Sequence, residues 1–356
     1  MSKIFIIAEA GVNHNGSLKL AKELVKVAAD AGADAVKFQT FLTNTVTSKN
    51  APKAAYQLET TDKRESQLDM IKKLSLDTDM HKEIVQTCRE NNIEFLSTPF
   101  DFWSVDFLVN ECNVSKIKIS SGEVVNPPLL LKAARTQKPI ILSTGMCNLS
   151  DIEHALGILA FGYLNENNPK NIEECFRFYN TTEAQNILQE KISLLHCTTE
   201  YPAPFDEVNL RCIQTMRNAF KLPVGYSDHT PGICIATAAV ACGAKIIEKH
   251  FTLDKNLPGP DHKASLNPDE LNQLIASIRN VEAALGDGIK RPSKVEEINL
   301  PIVRRSLIAA RDIKKGEIFT EENLTCKRPA TGISSLYYFE QLGKIAERDY
   351  FEDDLI

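Results

Sequence analysis

Two histidines occupy matching places in the chain, each directly after a short apolar segment. His229 ends the segment Tyr226-Ser-Asp-His, and His250 ends Glu248-Lys-His. Imidazole is the most common ligand of a catalytic divalent metal, and a pair of them leaves positions open for substrate and water. Asp261 is close enough in sequence to join the pair or to act on a bound water. The pattern predicts a metal site, with two hydrogen-bonded structural histidines as the alternative.

Two lysines lie within otherwise apolar segments. An ammonium group is costly to place there unless an anion compensates its charge, so Lys37 and Lys118 are predicted to face a phosphate or carboxylate. The hydroxyls of Ser121, Ser143 and Ser227 would complete such an anion site. Two alternatives stay open: one of the lysines forms a Schiff base with a carbonyl substrate, or both belong to structural salt bridges.

These side chains follow a repeated pattern of short apolar segments separated by amphipathic helical stretches. The predicted strands are Lys3–Ile7, Ala35–Gln39, Glu94–Leu96, Ser115–Ile119, Pro139–Leu142, Ile192–Leu195, Pro223–Gly225 and Ala244–Ile247. Eight such units within about 285 residues predict an α/β fold of the (β/α)8 TIM-barrel type. Barrel enzymes carry their active sites at the carboxyl ends of the strands, where nearly every segment here ends in a reactive side chain.

The chain changes character after Leu285, and three parts are predicted. Residues 1–285 form the catalytic barrel, residues 286–300 a polar linker marked by Gly and Pro, and residues 301–356 a small β-rich domain. Within the barrel, residues 43–64 read as a long polar loop, a length that is uncommon in a compact domain without a functional role. Residues 165–191 read as a surface insertion without a catalytic role.

Composition restricts the classes of partner. The 356 residues include 41 Lys and Arg against 47 Asp and Glu, a net charge of −6 with no basic block, which argues against a nucleic-acid or anionic-membrane partner. The first residues lack the features of a signal peptide, and no apolar stretch approaches the roughly 20 residues that span a bilayer. Nine cysteines without a C-x-x-C pair are typical of reduced thiols. A cytoplasmic protein is expected.

The motifs, taken together, resemble those of a known family. They include Ile7-Ala-Glu-Ala-Gly-Val-Asn-His-Asn-Gly16, Ala35-Val-Lys-Phe-Gln-Thr40, Phe95-Leu-Ser-Thr-Pro-Phe100, Lys118-Ile-Ser-Ser-Gly-Glu123, Ile141-Leu-Ser-Thr-Gly-Met146, His196-Cys-Thr-Thr-Glu-Tyr-Pro202, Tyr226-Ser-Asp-His229, Glu248-Lys-His-Phe251 and Gly259-Pro-Asp261. In this order they resemble the sialic acid synthase family, which contains N-acetylneuraminate and legionaminate synthases. The tail, with Lys327-Arg-Pro329, looks like the antifreeze-like (SAF, β-clip) domain of that family.

The resemblance implies a reaction and a cofactor. Phosphoenolpyruvate would condense with an N-acylated mannosamine to give a nine-carbon keto sugar acid and phosphate, with cleavage of the C–O bond. His229 and His250 would hold Mn2+ or Mg2+ against the sugar aldehyde. Glu9 is a candidate for proton transfer at the aldehyde oxygen, and Asp261 for handling the water that adds.

The resemblance also implies roles in substrate binding. Phosphoenolpyruvate would be bound by Lys37, Lys118, Ser121, Ser143 and Ser227. The sugar would be contacted by Gln39, Tyr201 and Arg328, and Arg328 would act across a domain-swapped homodimer.

Two departures from the family pattern concern ligand contacts. Thr198-Thr199 stands where some members have Asn, and Ala330-Thr-Gly332 follows the tail motif in place of Gly-Asn-Gly. The segment His196–Pro204 is similar to that of legionaminic acid synthases. Two sugars therefore stay open, N-acetylmannosamine and 2,4-diacetamido-2,4,6-trideoxymannose.

Three rival functions stay open beside the synthase. They are a Schiff-base pyruvate aldolase that uses Lys118, a related phosphoenolpyruvate-condensing enzyme that acts on a sugar phosphate, and a non-catalytic carbohydrate-binding protein.

Overall fold

The computed structural model describes residues 3–48, 51–53, 58, 61–62 and 64–356. The chain divides into two compact units, Met1–Gly286 and Asp287–Ile356. Within the described part of the chain, every helix is too short or too polar to cross a membrane.

The first unit is built on eight parallel strands. In chain order they are β1 Phe5–Gly11, β2 Ala35–Thr40, β3 Glu94–Pro99, β4 Ile117–Ile119, β5 Ile140–Ser143, β6 Ile192–His196, β7 Val224–Asp228 and β8 Ile246–His250. They are ordered β3-β2-β1-β8-β7-β6-β5-β4, and the two end strands β3 and β4 contact each other, so the ring is nearly closed. The predicted (β/α)8 barrel is confirmed.

Helices follow the strands and cover the outside of the ring. They are α1 Leu18–Asp30, α2 Thr43–Val46, α3 Gln67–Lys73, α4 Thr78–Glu90, α5 Phe102–Asn110, α6 Pro127–Arg135, α7 Leu149–Leu164, α8 Ile172–Tyr179, α9 Thr182–Lys191, α10 Arg211–Phe220, α11 Cys234–Ala241 and α12 Pro268–Ala284. Side-chain caps fix several starts, as where Asn148 and Asn267 each form a capping box. The predicted insertion forms α8 and α9, which pack against α7.

The long loop predicted over residues 43–64 is only partly described. Its first residues form α2, and residues 49–50, 54–57, 59–60 and 63 lie outside the described part of the chain.

Alternation along the strands decides which side chains face the middle of the barrel. One cluster takes a single buried residue from each of six strands, namely Ile7, Ala35, Leu96, Ile141, Leu195 and Ile246. Successive side chains of a strand point to opposite faces, so the residue two positions later points the same way. Those next residues are polar or contain sulfur: Glu9, Lys37, Thr98, Ser143, Cys197 and Glu248. An apolar layer thus lies beneath a polar one at the carboxyl end of the barrel.

The second unit has its own small core. Strands β9 Ser306–Ala309 and β10 Leu324–Lys327 pair antiparallel over a cluster that includes Leu307 and Phe319. The unit also contains α13 Lys294–Val303 and the short α14 Tyr338–Gln341. Helix α13 occupies much of the segment predicted as a linker, because Ser293 and Glu296 form a capping box that starts a helix there.

Candidate active site

A cavity of about 460 Å3 opens at the carboxyl ends of the barrel strands. It is lined by all the site residues that the sequence predicts in the first unit: Glu9, Lys37, Gln39, Lys118, Ser121, Ser143, Tyr201, Ser227, His229, His250 and Asp261. The polar layer above the apolar one forms its floor. The volume suits one or two small polar molecules.

Two lysines and two glutamates form a buried charge cluster on this floor. Lys37 Nζ lies 2.7 Å from Glu9 Oε2 and 3.7 Å from Glu248 Oε2, while Lys118 Nζ lies 3.4 Å from Glu248 Oε1. The four side chains are at most 4% exposed. Ser227 donates a 2.8 Å hydrogen bond to Glu248 Oε1. Glu248 therefore connects both lysines and one of the predicted serines.

The two glutamates have opposite tendencies to hold a proton. Burial by itself would raise the pKa of Glu248, but Lys118 and Lys37 hold it at about 2. Burial raises the pKa of Glu9 to about 8, with Lys37 opposing the shift and Glu248 adding to it. Neighbouring groups whose pKa values are pushed apart are typical of acid and base assignments in active sites. Glu248 is thus the ionised partner of the lysines, and Glu9 can carry a proton.

Burial also acts on Lys118. It lowers the pKa of the Lys118 ammonium, and the nearby Glu248 opposes that shift. A lysine with a lowered pKa also suits nucleophilic chemistry, so this geometry alone does not decide against the Schiff-base alternative.

The two histidines face each other over the cavity, with ring centroids 5.5 Å apart. The Thr198 carbonyl oxygen lies 2.6 Å from His229 Nδ1 and accepts a hydrogen bond from it, which leaves the lone pair on Nε2, 3.4 Å from Ser227 Oγ. Burial lowers the pKa of His229 to about 4 and that of His250 well below its usual range. Neutral imidazoles held by a backbone carbonyl are the form that binds metals.

His250 has an unsatisfied nitrogen in this arrangement. Its Nδ1 atom is buried and makes no hydrogen bond, and it lies 3.9 Å from Asp261 Oδ2. Burial raises the pKa of Asp261 to about 6. A buried, unpartnered imidazole nitrogen fits a group that a bound cation would complete. Among the described residues no group of three or more His, Cys, Asp or Glu side chains is placed to hold a metal ion. His229 and His250 are the two imidazoles that line the cavity.

Tyr201 and Ser121 complete the cavity walls. The centroid of the Tyr201 ring lies 4.2 Å from that of the His229 ring and 5.4 Å from that of the His250 ring. Ser121 Oγ accepts a 2.9 Å hydrogen bond from the Gly145 backbone N–H, and a side chain at Gly145 would overlap Ser121 and Thr199. Glycine at this position therefore lets the backbone approach the floor.

A second buried ion pair lies just outside the cavity, between the strands that carry the histidines. Asp228 and Lys249 are opposite each other in the pairing of β7 with β8, and each directly precedes a histidine. Lys249 Nζ lies 2.7 Å from Asp228 Oδ2, and both side chains are at most 1% exposed. Thr230 donates to Asp228 through its N–H and its hydroxyl. The pair ties the two histidine-bearing strand ends together.

Loss of this pair should be costly. Lys249→Met leaves the Asp228 carboxylate buried without its cation, so we expect the free energy of unfolding to fall by about 3–5 kcal/mol. Urea denaturation followed by circular dichroism measures the loss. Lys255→Met, which breaks the partly exposed pair with Glu270, is the control and should cost about 1 kcal/mol or less. Equal small losses of unfolding free energy in the two variants would show that the buried pair contributes no more to stability than the partly exposed one.

Sequence reasoning left two parts of the cavity out of the predicted site. Glu248 was predicted to lie at a strand end, in Glu248-Lys-His250, but was given no role; it lies two positions before His250 and so on the same face of β8, and that spacing was the signal for a role in the site. The apolar side of the cavity, which includes Phe41, Met70 and Leu74, was also missed, because these residues lie on either side of the long polar loop predicted over residues 43–64 and no strand end carries them.

Arg328 is the one predicted site residue that does not line this cavity. It lies in the second unit, exposed just after β10, while the described residues that line the cavity all belong to the first unit.

The fold and the cavity define the class: a TIM barrel whose cavity at the carboxyl ends of the strands holds a buried cluster of lysines and glutamates beside two facing histidines. Residues 24–290 match the NeuB family and residues 304–356 match the SAF domain. The chain belongs to the NeuB family.

Relatives and solved structures agree with this assignment. The chain is 57% identical over 356 residues to an N,N'-diacetyllegionaminic acid synthase of Campylobacter jejuni subsp. jejuni serotype O:2, covering 100% of this chain and 99% of that one. It is 46% identical over 330 residues to the enzyme of the same name from Legionella pneumophila subsp. pneumophila, covering 93% and 86%. The crystal structure of N-acetylneuraminic acid (sialic acid) synthetase from Leptospira borgpetersenii, in complex with citrate, superposes with a TM-score of 0.68 at 33% identity, covering 84% and 90%.

Proposed function

We propose that this enzyme condenses phosphoenolpyruvate with 2,4-diacetamido-2,4,6-trideoxymannose to give N,N'-diacetyllegionaminic acid and phosphate. The observation that carries the proposal is the full-length 57% identity to the Campylobacter synthase of that acid, together with the cavity described above. N-Acetylmannosamine, with N-acetylneuraminate as product, is the second candidate, supported by the likeness to the Leptospira synthetase. All nine cysteines are free thiols, which supports a reaction in the cytoplasm.

The charge cluster suits the binding of phosphoenolpyruvate. Lys37 and Lys118 face one ionised carboxylate, that of Glu248, so an excess of positive charge meets the phosphate and carboxylate of the substrate. The hydroxyls of Ser121 and Ser143 lie on the same floor and can donate to the phosphate oxygens. The Ser227 hydroxyl donates to Glu248. Ser227 would therefore contribute to phosphoenolpyruvate binding through Glu248, and directly only if its hydroxyl turns to the substrate.

The bond changes are those of an aldol-type condensation. Carbon 3 of phosphoenolpyruvate attacks the aldehyde carbon of the open-chain sugar while the aldehyde oxygen takes up a proton from Glu9. Water adds at carbon 2 and loses a proton to Asp261, and the tetrahedral intermediate expels phosphate by cleavage of the C–O bond. A divalent cation, Mn2+ or Mg2+, held by His229 and His250 would supply Lewis-acid polarisation of the aldehyde oxygen.

The sugar is assigned to Gln39 and Tyr201 within the cavity, and to Arg328 from the tail of a second subunit. A domain-swapped homodimer would place that tail over the cavity of the partner. Exposed apolar side chains support an extended contact surface: Ile298 and Ile302 on α13, and Leu336 and Phe339 near α14, are 62–83% exposed.

Arg328→Ala should therefore weaken sugar binding selectively. Loss of a charged hydrogen bond predicts a rise in the sugar KM of about 10-fold or more, with little change for phosphoenolpyruvate. Steady-state kinetics with each substrate varied in turn measures this. Lys327→Ala is the control, because Lys327 pairs with Asp353 on the surface of the same unit. An unchanged sugar KM in the Arg328 variant would rule out a sugar contact.

Phosphate release from phosphoenolpyruvate tests the proposed function. We expect release with Mn2+ and 2,4-diacetamido-2,4,6-trideoxymannose, slower release with N-acetylmannosamine, and none after EDTA treatment. No release with either sugar would overturn the proposal. Borohydride trapping of pyruvate on the enzyme would instead favour the aldolase that uses Lys118.

A further inference from the structure

One side of the cavity is apolar, in contrast to the charged floor. It combines side chains from the loop after β2, from α3 and from the end of β3: Phe41, Val46, Met70, Ile71, Leu74 and Phe100. We call this set the apolar wall. Met70 and Leu74 are buried, and with Val12 they form a small hydrophobic cluster of their own. None of the reaction steps proposed above uses these side chains.

The apolar wall is held firmly in place. Glu65, just before α3, pairs with Lys53 at 3.0 Å and with Lys73 at 2.5 Å. Ser66 caps the helix by accepting from the Asp69 N–H at 3.1 Å. At the other end, the Lys73 carbonyl packs so closely on Gly16 that a side chain there would clash with it. The wall is thus a preformed surface, as specificity pockets commonly are.

The two candidate sugars differ in the groups that such a wall can distinguish. The trideoxy sugar has an acetamido group at carbon 4 and a methyl group at carbon 6, whereas N-acetylmannosamine has hydroxyls at both. Apolar side chains gain from burying methyl groups, and they give a buried hydroxyl no hydrogen-bond partner. Gln67, which also lines the cavity beside the wall, accepts from Thr47 Oγ1 and keeps its amide donors, which suit an acetamido carbonyl.

We propose that the apolar wall determines the choice of sugar, by taking the carbon 4 acetamido methyl and the carbon 6 methyl of 2,4-diacetamido-2,4,6-trideoxymannose and leaving the hydroxyls that N-acetylmannosamine has at those carbons unsatisfied. The inference rests on the proposed function, since it assumes condensation of phosphoenolpyruvate with one of these sugars. It assigns the discrimination between the two sugars to α3 and the neighbouring segments, and the binding of phosphoenolpyruvate to the charged floor.

The test replaces wall side chains by polar ones of equal or smaller size. Val46 and Ile71 are both half-buried and neither replacement adds volume, so Val46→Thr and Ile71→Thr should leave the fold intact. The readout is the ratio of kcat/KM for the trideoxy sugar to that for N-acetylmannosamine. In the double variant we expect this ratio to fall about 16-fold, since two buried methyl contacts each contribute a factor of about 4. Val125→Thr, at an exposed site outside the cavity, is the control and should leave the ratio unchanged.

A second measurement needs no variant. The unmodified enzyme should turn over 2-acetamido-2,6-dideoxymannose, which lacks only the carbon 6 hydroxyl, with a higher kcat/KM than N-acetylmannosamine. An unchanged ratio in a folded, active double variant would show that the wall does not determine the choice of sugar. A higher wild-type kcat/KM for N-acetylmannosamine than for 2-acetamido-2,6-dideoxymannose would show the same. Either result would leave the synthase reaction in place. Failure of the wild type to release phosphate with any of the three sugars would instead overturn the proposed function.

Discussion

Replacement of His229 by alanine is expected to stop phosphate release even with saturating Mn2+, while the barrel stays folded. His229 has its lone pair on Nε2 because its Nδ1–H donates a hydrogen bond to the Thr198 carbonyl, and the side chain is neutral and buried. Turnover should fall by more than about 100-fold, since losing even a hydrogen-bonding partner of a metal ligand costs about 10–100-fold.

Two readouts separate loss of the metal from loss of structure. Mn2+ binding measured by electron paramagnetic resonance should be lost together with turnover, while the circular dichroism spectrum stays that of the wild type. His154→Ala is the matched control, because His154 lies on α7 and contacts Phe176 away from the cavity. Near-normal turnover and Mn2+ binding in the His229 variant would show that the histidine pair does not hold a catalytic metal.

The second large effect concerns Glu9. Glu9→Gln keeps the size of the side chain and its place beside Lys37 but removes the proton that Glu9 would donate. We expect kcat to fall by about 10²–10⁴-fold, the usual contribution of a positioned general acid. The KM for phosphoenolpyruvate should change little, because Lys37 and Lys118 remain. Steady-state kinetics at saturating substrates measures the effect.

A glutamate at the other end of the barrel provides the control for Glu9. Glu94 begins β3, where it pairs with Lys116, so Glu94→Gln should leave kcat within about threefold of the wild type, as surface changes away from a site usually do. Equal kcat values for the Glu9 variant and this control would show that another group donates the proton.

The floor of the site could be predicted because strands encode it locally. In β1 and β2 the pairs Ile7 with Glu9 and Ala35 with Lys37 place an apolar residue and a polar one on the same face. Costly charges in apolar segments pointed to Lys37 and Lys118 before any neighbour was known. The histidines were found from their place at strand ends: His229 directly follows β7, and His250 is the last residue of β8.

What could not be predicted depends on the packing of distant segments. Glu248 gains its role from Lys37 and Lys118, which come from strands far apart in sequence, and the partners of a charge are not encoded locally. The apolar wall is contributed in part by α3, whose Met70 and Ile71 have no visible partner in the sequence until the helix packs against Val12 in the first loop of the barrel.

Helix α13 was missed for a different reason. Its capping box, Ser293-Lys-Val-Glu296, is present in the sequence, but the neighbouring Gly and Pro residues favoured a linker.

Phosphoenolpyruvate labelled with 18O at its bridging oxygen distinguishes condensation with C–O cleavage from the other reactions. The enzyme, the labelled substrate, Mn2+ and 2,4-diacetamido-2,4,6-trideoxymannose are combined, and both products are analysed by mass spectrometry. Condensation with C–O cleavage predicts that the label appears in the released phosphate and that the nine-carbon acid is unlabelled. Label retained in the acid, or free pyruvate without a condensed sugar acid, would contradict the account.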